Sequence, residues 1–336
     1  MTVRVGIIGV GIMGSDHARI FAAHVPGASV TAIYDADAAR ARAIAEETGA
    51  AGIAATPEAL ISDPKVDAVL IASPDATHAP LTIAAIAAGK PVLCEKPLAP
   101  SSRDCLDVVA AEVKGGKQLV QVGFMRRFDP SYLAMKAKWK SGALGKPLMF
   151  HCVHRNVSAP EWFTSDMAIA NSAPHEFDVT RFVLDSDMTA ITVFQPDAAS
   201  KGGLVKPVFM VLRSAAGQLV NVEIHINAGY GYDVKGELVC ERGSVLLRSP
   251  VHSEVNVALA NATAIPEDWR PRFADAYRLQ TQAWIRSVAK GGIAPGAANA
   301  WDGYAATFIA EAGLKSLAEG RTAEIKLAEM PAFYKQ

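Results

Sequence analysis

The chain has 336 residues, half of them hydrophobic, so it is long enough to bury the cores of two globular domains. Its 33 basic and 34 acidic residues nearly balance, whereas nucleic-acid binding needs a net basic field or a basic tail. The longest apolar stretches are too short or too interrupted to span a bilayer. We therefore expect neither a nucleic-acid nor a membrane partner.

The N-terminal third of the chain alternates apolar strands with helices. In chain order, the predicted elements are strand 3–8, helix 14–24, strand 29–34, helix 37–48, a short strand near Ile53, helix 57–61, strand 67–72, helix 78–88, strand 91–94, helix 101–115 and strand 118–122. Continuous apolar strands in this arrangement indicate a parallel sheet with helices on both faces.

A glycine-rich turn joins the first predicted strand to the first helix. Gly9 allows the tight turn, Gly11 lets the backbone approach a pyrophosphate, and Gly14 lets the helix pack closely on its strand. Ile12 and Met13 complete the turn, and the helix N-terminus that follows favours phosphate charge. Residues 1–122 are therefore predicted to form a Rossmann dinucleotide-binding domain.

Asp35, at the end of the second predicted strand, indicates which dinucleotide is bound. A carboxylate at this position accepts hydrogen bonds from the adenosine ribose hydroxyls and repels the additional phosphate of NADP. The next two residues, Ala36 and Asp37, provide no arginine to hold that phosphate. The sequence therefore predicts NAD as the cofactor.

After Gly123 the pattern changes to that of a mainly antiparallel sheet. The predicted helices are 129–141, 174–185, 268–290 and 301–319, and the predicted strands are 147–154, 190–194, 207–213, 218–227, 233–239 and 244–247. Short glycine-containing turns at 215–217 and 241–243 are typical of hairpins. We predict an α/β protein in which residues 123–336 form an α+β domain with a large open sheet, for substrate binding and oligomerisation.

The predicted strand 218–227 has one apolar and one polar face. Val220, Val222, Ile224 and Ile226 alternate with polar residues, so they lie together on one side of the sheet. Because no helices are predicted to cover the other side, we expect it to pack against the sheet of another subunit. The chain is therefore expected to form a homo-oligomer, either a dimer or a tetramer.

The cysteines and the N-terminus bear on the cellular compartment. Cys94, Cys105, Cys152 and Cys240 lie in or beside apolar stretches and have no paired metal-ligand spacing. The N-terminus enters a strand directly, with no pattern of an export signal. We expect reduced, mostly buried thiols, a cytoplasmic protein and no metal site.

Glu95 and Lys96 follow the predicted strand 91–94 and so lie at the carboxyl edge of the sheet, where open parallel sheets bind ligands. A lysine there can hydrogen-bond a substrate hydroxyl and stabilise an alkoxide as a hydride leaves. The alternative is a surface lysine at a strand end. The adjacent Glu95 and Pro97 favour a positioned lysine.

Together these motifs resemble the glucose-fructose oxidoreductase/inositol dehydrogenase/rhizopine catabolism family of NAD(P)-dependent oxidoreductases. The similar segments are the glycine motif at 9–14, Ala-Ser-Pro at 72–74 with Thr-His at 77–78, and Glu-Lys-Pro at 95–97. Segments 120–129, 151–156, 230–233 and 300–304 are similar to bacterial inositol 2-dehydrogenases. The resemblance runs from the first strand to the last helix.

The resemblance implies hydride transfer from a ring carbon of a cyclic polyol to the nicotinamide of NAD. It implies that Lys96 orients and polarises the reacting hydroxyl and that His175 removes its proton, a role suited to an imidazole with a pKa near about 6.5. Besides the glycine turn and Asp35, the implied cofactor-binding residues are Ser73, Pro74, His78, Glu95 and Lys96.

The resemblance also implies a set of side chains around the substrate hydroxyls. They are Lys96, Arg126, His154, Asn156, Asn171, His175, Asp178 and Tyr232. The alternatives are an ion pair of Arg126 or Arg127 with Asp129 and a purely structural Tyr232. Four other histidines, His17, His24, His225 and His252, are assigned to solvent-exposed or structural positions.

Asn171 departs from the family pattern, in which the related inositol dehydrogenases have an aspartate four residues before the histidine. If the intervening turn is helical, Asn171 and His175 share one face and can meet at a substrate hydroxyl. We include Asn171 among the catalytic residues, although an amide takes no proton and its lack of charge should lower the pKa of His175. Three explanations stay open: an engineered replacement that traps substrate, a natural variant for another polyol, and a shifted alignment of this loop.

The reaction expected from the sequence is NAD-dependent oxidation of an inositol, either myo- or scyllo-inositol, to the keto-inositol. One alternative is a dehydrogenase of a pyranose sugar of the glucose type, L-glucose included, because its equatorial hydroxyls resemble those of an inositol. Another is an NAD-binding sensor without turnover, which Asn171 suggests. The presence of both Lys96 and His175 favours an enzyme.

Overall fold

The computed structural model describes residues 2–197, 205–248 and 254–335, so His252 lies outside the described residues. Its contacts divide the chain into two compact units. The first contains Met1–Phe128, Asp275–Phe308 and Leu327–Gln336, and the second contains Asp129–Ala274 and Ile309–Lys326. The predicted division into an NAD-binding domain, 1–122, and a domain for substrate binding and oligomerisation, 123–336, stays a prediction.

The first unit contains the parallel sheet. Its strands are β1 (Val3–Ile8), β2 (Ala28–Tyr34), β3 (Gly52–Ile53), β4 (Ala68–Ile71), β5 (Val92–Cys94) and β6 (Val120–Val122). The helices between them are α1 (Ile12–His24), α2 (Ala38–Thr48), α3 (Pro57–Ser62), α4 (His78–Ala87) and α5 (Ser102–Gly115). The strand order is β3-β2-β1-β4-β5-β6 with every pair parallel, which confirms the predicted Rossmann sheet.

Both faces of this sheet are buried. Ile7 and Leu70 belong to an apolar cluster that includes Trp284, whereas their neighbours Ile8 and Ile71 belong to a second cluster. Successive side chains of a strand point to opposite faces, so continuous apolar strands require helices on both. The strand order reverses between β1 and β4, and ligands of such sheets bind beyond the carboxyl ends of the strands at this point.

The second unit contains the larger sheet. Its strands are β7 (Pro147–Arg155), β8 (Met188–Phe194), β9 (Val208–Ser214), β10 (Leu219–His225), β11 (Asp233–Cys240), β12 (Gly243–Leu246) and β15 (Ala323–Glu324). Strands β13 (Glu254–Val257) and β14 (Ala260–Thr263) form a separate hairpin. The order is β12-β11-β7-β10-β9-β8-β15. Its helices before β8 are α6 (Pro130–Lys140), α7 (Ser165–Met167) and α8 (Pro174–Leu184). The last two helices of the chain are α9 (Trp269–Val288) and α10 (Ala300–Glu319).

The sheet is mainly antiparallel, as predicted, but it includes one parallel pair, β7 with β10. Helix α8 and strands β8 and β9 lie between them in the chain, and a parallel pair needs such a long connection. The predicted alternation in β10 is confirmed, because Val220, Val222 and Ile224 are buried. All four cysteines are free and buried, as predicted. Among the described residues, no helix has both the length and the apolarity to cross a membrane.

Candidate active site

The turn after β1 depends on glycine for two different reasons. Gly9 has a φ of 85°, and a Cβ there would lie 2.6 Å from the backbone of Ser73. A Cβ on Gly14 would lie 1.8 Å from the carbonyl oxygen of Gly9. At Gly11, by contrast, a Cβ would meet no other described part of the chain within 4 Å. Gly9 and Gly14 are therefore required by the packing of the chain itself, whereas Gly11 borders open space.

This open space lies at the start of α1. Gly11 is the N-cap residue, and within the described chain no side chain caps the helix. The next residue, Ile12, is 67% exposed, and Met13 is half-buried. The first N–H groups of a helix have no partner within it and, with the helix dipole, favour a phosphate. The turn therefore fits the pyrophosphate of NAD.

Asp35, just after β2, is a mostly buried carboxylate. Its Oδ2 accepts the N–H of Val10 at 2.8 Å, and its Oδ1 accepts the N–H of Asp37 at 2.8 Å. The Arg40 guanidinium donates to Oδ1 at 2.8 Å. Burial raises the pKa of Asp35, but these hydrogen bonds, led by that of Arg40, lower it by more than burial raises it. The pKa therefore lies below its ordinary value. The carboxylate is therefore ionised at neutral pH and suited to accept ribose hydroxyls.

Arg40 is a site residue that the sequence reasoning missed. The two residues after Asp35 include no arginine, whereas Arg40 is the third residue of α2. The first helical turn brings its guanidinium back to Asp35, where it forms an ion pair. Such an arginine can hold the additional phosphate of NADP, but here the carboxylate occupies it.

The loops after β4 and β5 are joined by His78. Its Nε2 lies 2.8 Å from the carbonyl oxygen of Ser73, and its Nδ1 lies 2.7 Å from that of Pro97. The side chain is buried, with 1% exposure. The Ser73 hydroxyl is 2.6 Å from that of Thr77, which donates to the carbonyl oxygen of Pro74. Both loops lie at the carboxyl edge of the sheet.

Glu95 is buried between His17 and the backbone of Lys96. Its Oε1 lies 2.7 Å from Nε2 of His17, and its Oε2 accepts the Lys96 N–H at 3.1 Å. A Cβ on Gly123 would lie 2.9 Å from the carboxylate. Burial raises the pKa of Glu95, but the hydrogen bond with His17, the electrostatic interaction with that ring and the charge of Lys96 hold it below its ordinary value.

His17 has a structural position, one of the two settings expected for it, but the sequence did not reveal its partner, Glu95. Of the histidines assigned to solvent-exposed or structural positions, His24 is exposed and His225 half-buried, whereas His17 is 0% exposed. A signal for this was present, because His17 shares the buried face of α1 with Gly14, Ala18 and Phe21. The partner of a buried histidine cannot be read from that spacing.

The segment after β6 contains two buried arginines, on a short turn at Met125–Phe128. Arg126 is 1% exposed, and Arg127 forms an ion pair with Asp302 at 3.0 Å. In the second unit, Asp129 pairs with Arg272 at 2.6 Å. The alternative in which Asp129 pairs with Arg126 or Arg127 therefore has no support from these contacts.

In the second unit, His154 of β7 lies in a buried polar cluster. Its Nδ1 is 3.2 Å from Oε1 of Glu176, and its ring meets that of Tyr232 edge-on at 5.6 Å. Glu176, which the sequence reasoning did not select, follows His175 on α8 and is 1% exposed. Its position next to His175 in the sequence motif was the signal by which Glu176 could have been found.

The segment that carries Asn171 is a π-helical turn, Ala168–Ser172, in which the N–H of Ala173 donates to the carbonyl oxygen of Ala168 at 3.0 Å. Pro174 has no N–H to continue the helical ladder, so α8 begins at this residue. The turn before His175 is therefore helical but wider than an α-helix. Such π turns are frequent at functional sites.

The remaining candidates of the second unit are placed by α8 and β7. His175 and Asp178 are buried on α8, three residues apart and so close to one face. Asn156 follows β7, and its N–H donates to the carbonyl oxygen of His225. Its side-chain Oδ1 is buried without a hydrogen-bond partner among the described residues, so it can accept from a ligand.

Comparisons with known proteins agree with this geometry. Residues 3–124 match the profile of the "Oxidoreductase family, NAD-binding Rossmann fold", and residues 132–246 match that of the "GFO/IDH/MocA C-terminal domain". The chain is 49% identical over 337 residues to inositol 2-dehydrogenase 1 of Saccharopolyspora erythraea, covering 99% of both chains. It is 46% identical to inositol 2-dehydrogenase 2 of that organism, covering 99% of this chain and 98% of the relative.

A solved structure is similarly close. The myo-inositol dehydrogenase of Lactobacillus casei, in complex with NAD(H) and myo-inositol, matches with a TM-score of 0.95 and 32% sequence identity. The match covers 99% of this chain and 100% of that chain.

Proposed function

The chain belongs to the GFO/IDH/MocA family of oxidoreductases, and from this premise we propose that it oxidises an inositol to the keto-inositol with NAD as hydride acceptor. It is an NAD-dependent dehydrogenase that acts on a CH–OH group. The observation that carries the choice of substrate is its full-length likeness to a dehydrogenase that binds NAD(H) and myo-inositol.

NAD, when bound, supplies the acceptor for the hydride that leaves the ring carbon. The helix N-terminus at Gly11 holds the pyrophosphate, and the ionised Asp35 accepts hydrogen bonds from the ribose hydroxyls. These two groups would hold the cofactor, which would supply the hydride acceptor at the carboxyl edge of the sheet. The negative charge of the Asp35 carboxylate also repels the additional phosphate of NADP and so disfavours its binding.

Lys96 and His175 act on the reacting hydroxyl in this proposal. Lys96 donates a hydrogen bond to the oxygen and stabilises its developing negative charge, and His175 accepts the hydroxyl proton. The C–H bond breaks with its electron pair and the C=O bond forms, so the products are a ketone, a reduced cofactor and one proton. The support is the match of both residues to the family's motifs, together with their positions after β5 and at the start of α8.

The other hydroxyls of the ring need directional donors and acceptors on the protein. We propose Arg126, His154, Asn156, Asp178 and Tyr232 for this role, with Asn171 beside the reacting centre. The buried and unsatisfied Oδ1 of Asn156 supports the proposal, since a polyol hydroxyl can satisfy it.

The test is NADH formation by the purified protein with NAD and a panel of myo-inositol, scyllo-inositol, D-glucose, L-glucose and a linear polyol. A preference for an inositol supports the proposal, and a preference for a sugar replaces it with a pyranose dehydrogenase. If NAD binds but nothing in the panel is oxidised, and Asn171→Asp does not restore turnover, the chain is a sensor or has a substrate of another class.

We further propose that the chain forms a homo-oligomer through its larger sheet, either a dimer or a tetramer. Phe194 is paired with Phe209 and Leu219 with Met149 on neighbouring strands, and all four are exposed. These two pairs lie on the same face of the sheet, four positions apart along the strands, and exposed apolar side chains on one face favour an interface. Light scattering after size exclusion should give more than one chain mass, and Phe209→Lys should lower it; a monomeric parent protein would contradict the proposal.

The proposed location is the cytoplasm. Four buried cysteines that form no disulfide are typical of a reducing compartment. Fractionation of the producing cells tests this, and activity in a secreted or membrane fraction would contradict it.

A further inference from the structure

We infer that His78 is permanently protonated and acts as a positioning residue. Its two N–H groups join two loops, the one that contains Lys96 and the one that packs on the dinucleotide turn. The inference rests on the proposed function in one respect, which is the catalytic role of Lys96. The protonation state itself follows from the partners of the ring.

Both partners of the His78 ring are backbone carbonyl oxygens. Nε2 lies 2.8 Å from that of Ser73, and Nδ1 lies 2.7 Å from that of Pro97. A carbonyl oxygen only accepts hydrogen bonds, and a neutral imidazole has only one N–H to donate. In either neutral tautomer, one ring nitrogen would set its lone pair against a carbonyl oxygen. Only the imidazolium satisfies both contacts.

The surroundings of the ring favour the same state. Burial disfavours the positive charge, but the Cys94 side chain on β5, the Pro97 carbonyl and Asp75 in the preceding turn together raise the pKa of His78 to about 10. At neutral pH the ring therefore keeps both protons. With 1% exposure it has almost no contact with water that could replace a lost hydrogen bond.

The two anchored loops matter for catalysis. The backbone of Ser73 lies so close to Gly9 that a Cβ there would be 2.6 Å from it, so the first loop packs directly on the dinucleotide turn. The second anchor, Pro97, is the residue after Lys96. His78 therefore sets where the Lys96 backbone lies relative to the bound dinucleotide. Both of its ring nitrogens are engaged by backbone carbonyl oxygens, so neither contacts the dinucleotide or the substrate.

The direct test is the protonation state in solution. In the full-length protein labelled with 15N-histidine, both ring nitrogens of His78 should show imidazolium shifts at pH 8. The signal is assigned by its loss in His78→Gln, or by its failure to titrate near pH 6.5. A neutral His78 tautomer at pH 8 would overturn the inference, and this measurement needs no substrate.

The second test separates positioning from folding. His78→Gln cannot donate to two carbonyls in opposite directions, so we expect kcat to fall at least about tenfold, while the Kd for NAD rises by a smaller factor. His24→Gln is the matched control, and its kcat should equal that of the parent protein. Unchanged kcat in folded His78→Gln would overturn the positioning role. If the variant does not fold, the spectrum of the parent protein still decides the protonation state.

Failure of the proposed function gives a different result. If no polyol is oxidised but the imidazolium is observed, the protonation state stands and the substrate assignment fails. The kcat comparison is then made with whichever substrate the panel identifies.

Discussion

Nε2 of His17 lies 2.7 Å from Oε1 of Glu95, and this buried pair connects the helix of the dinucleotide turn to the residue before Lys96. The other oxygen of Glu95 accepts the N–H of Lys96, so the carboxylate fixes the lysine backbone from one side. Removal of either partner leaves a buried polar group unsatisfied.

We expect His17→Gln and Glu95→Gln each to lower the free energy of unfolding by about 2–4 kcal/mol, because removing one partner of a buried hydrogen bond to a carboxylate leaves the other without compensation. The double variant should lose at least about 1 kcal/mol less than the sum, which is the signature of a direct contact. Urea denaturation of the four proteins measures this. Additive losses would show that the two side chains do not interact.

The pair also predicts how stability depends on pH. The pKa of Glu95 in the folded protein is below its ordinary value, so its stabilisation is present above the unfolded carboxyl pKa of about 4.3. It is lost as the pH falls through the folded pKa. Between pH 6 and 3, Glu95→Gln should therefore lose less stability than the parent protein. Parallel stability curves for the two proteins would contradict this.

Two glycine variants should fail in different ways. Gly14→Ala places a methyl 1.8 Å from the Gly9 carbonyl oxygen, so we expect a loss of at least about 2 kcal/mol in unfolding free energy. The Cβ added by Gly11→Ala would have no other described part of the chain within 4 Å. This variant should therefore lose less than about 1 kcal/mol in unfolding free energy, the usual effect at an N-cap. It should nevertheless weaken NAD binding about tenfold, measured by calorimetry. Normal NAD affinity in Gly11→Ala would argue against close approach of the cofactor there.

Asp35→Ser should weaken NAD binding about tenfold, since charge-assisted hydrogen bonds contribute about 1.5–3 kcal/mol. NADP should bind more tightly than to the parent protein, because the repulsion is removed and Arg40 is released to the phosphate. The control is Asp35→Ser with Arg40→Gln, which should lose the NADP gain. An equal gain in both variants would mean that Arg40 plays no part.

Asn171→Asp should raise kcat several-fold, because a carboxylate at the position proposed beside the reacting centre can stabilise positive charge on His175 and an amide cannot. Steady-state NADH formation with the preferred polyol measures this. Asn171→Ala is the matched control, since it removes the amide without adding charge, and its kcat should not rise. An unchanged or lower kcat in Asn171→Asp would show that the missing charge does not limit the reaction.

Local pattern was sufficient for most of the fold. The glycine turn, the apolar strands and the N-terminal proline of α8 each reflect constraints between residues near in the chain, and their predicted elements agree with the structure. Alternation in β10 likewise predicted its buried face. The parallel pairing of β7 with β10 was not predictable in this way, because both strands have the same pattern in either direction.

The amino-acid sequence by itself determined the class of the protein and its cofactor, because the glycine spacing and Asp35 act through local backbone geometry. Only the tertiary structure decided the partners of the titratable groups. His17 meets Glu95 across 78 residues, and His78 meets the carbonyl oxygen of Pro97 from another loop. Contacts of this kind depend on how strands and helices pack, and packing brings together residues whose spacing in the chain carries no signal.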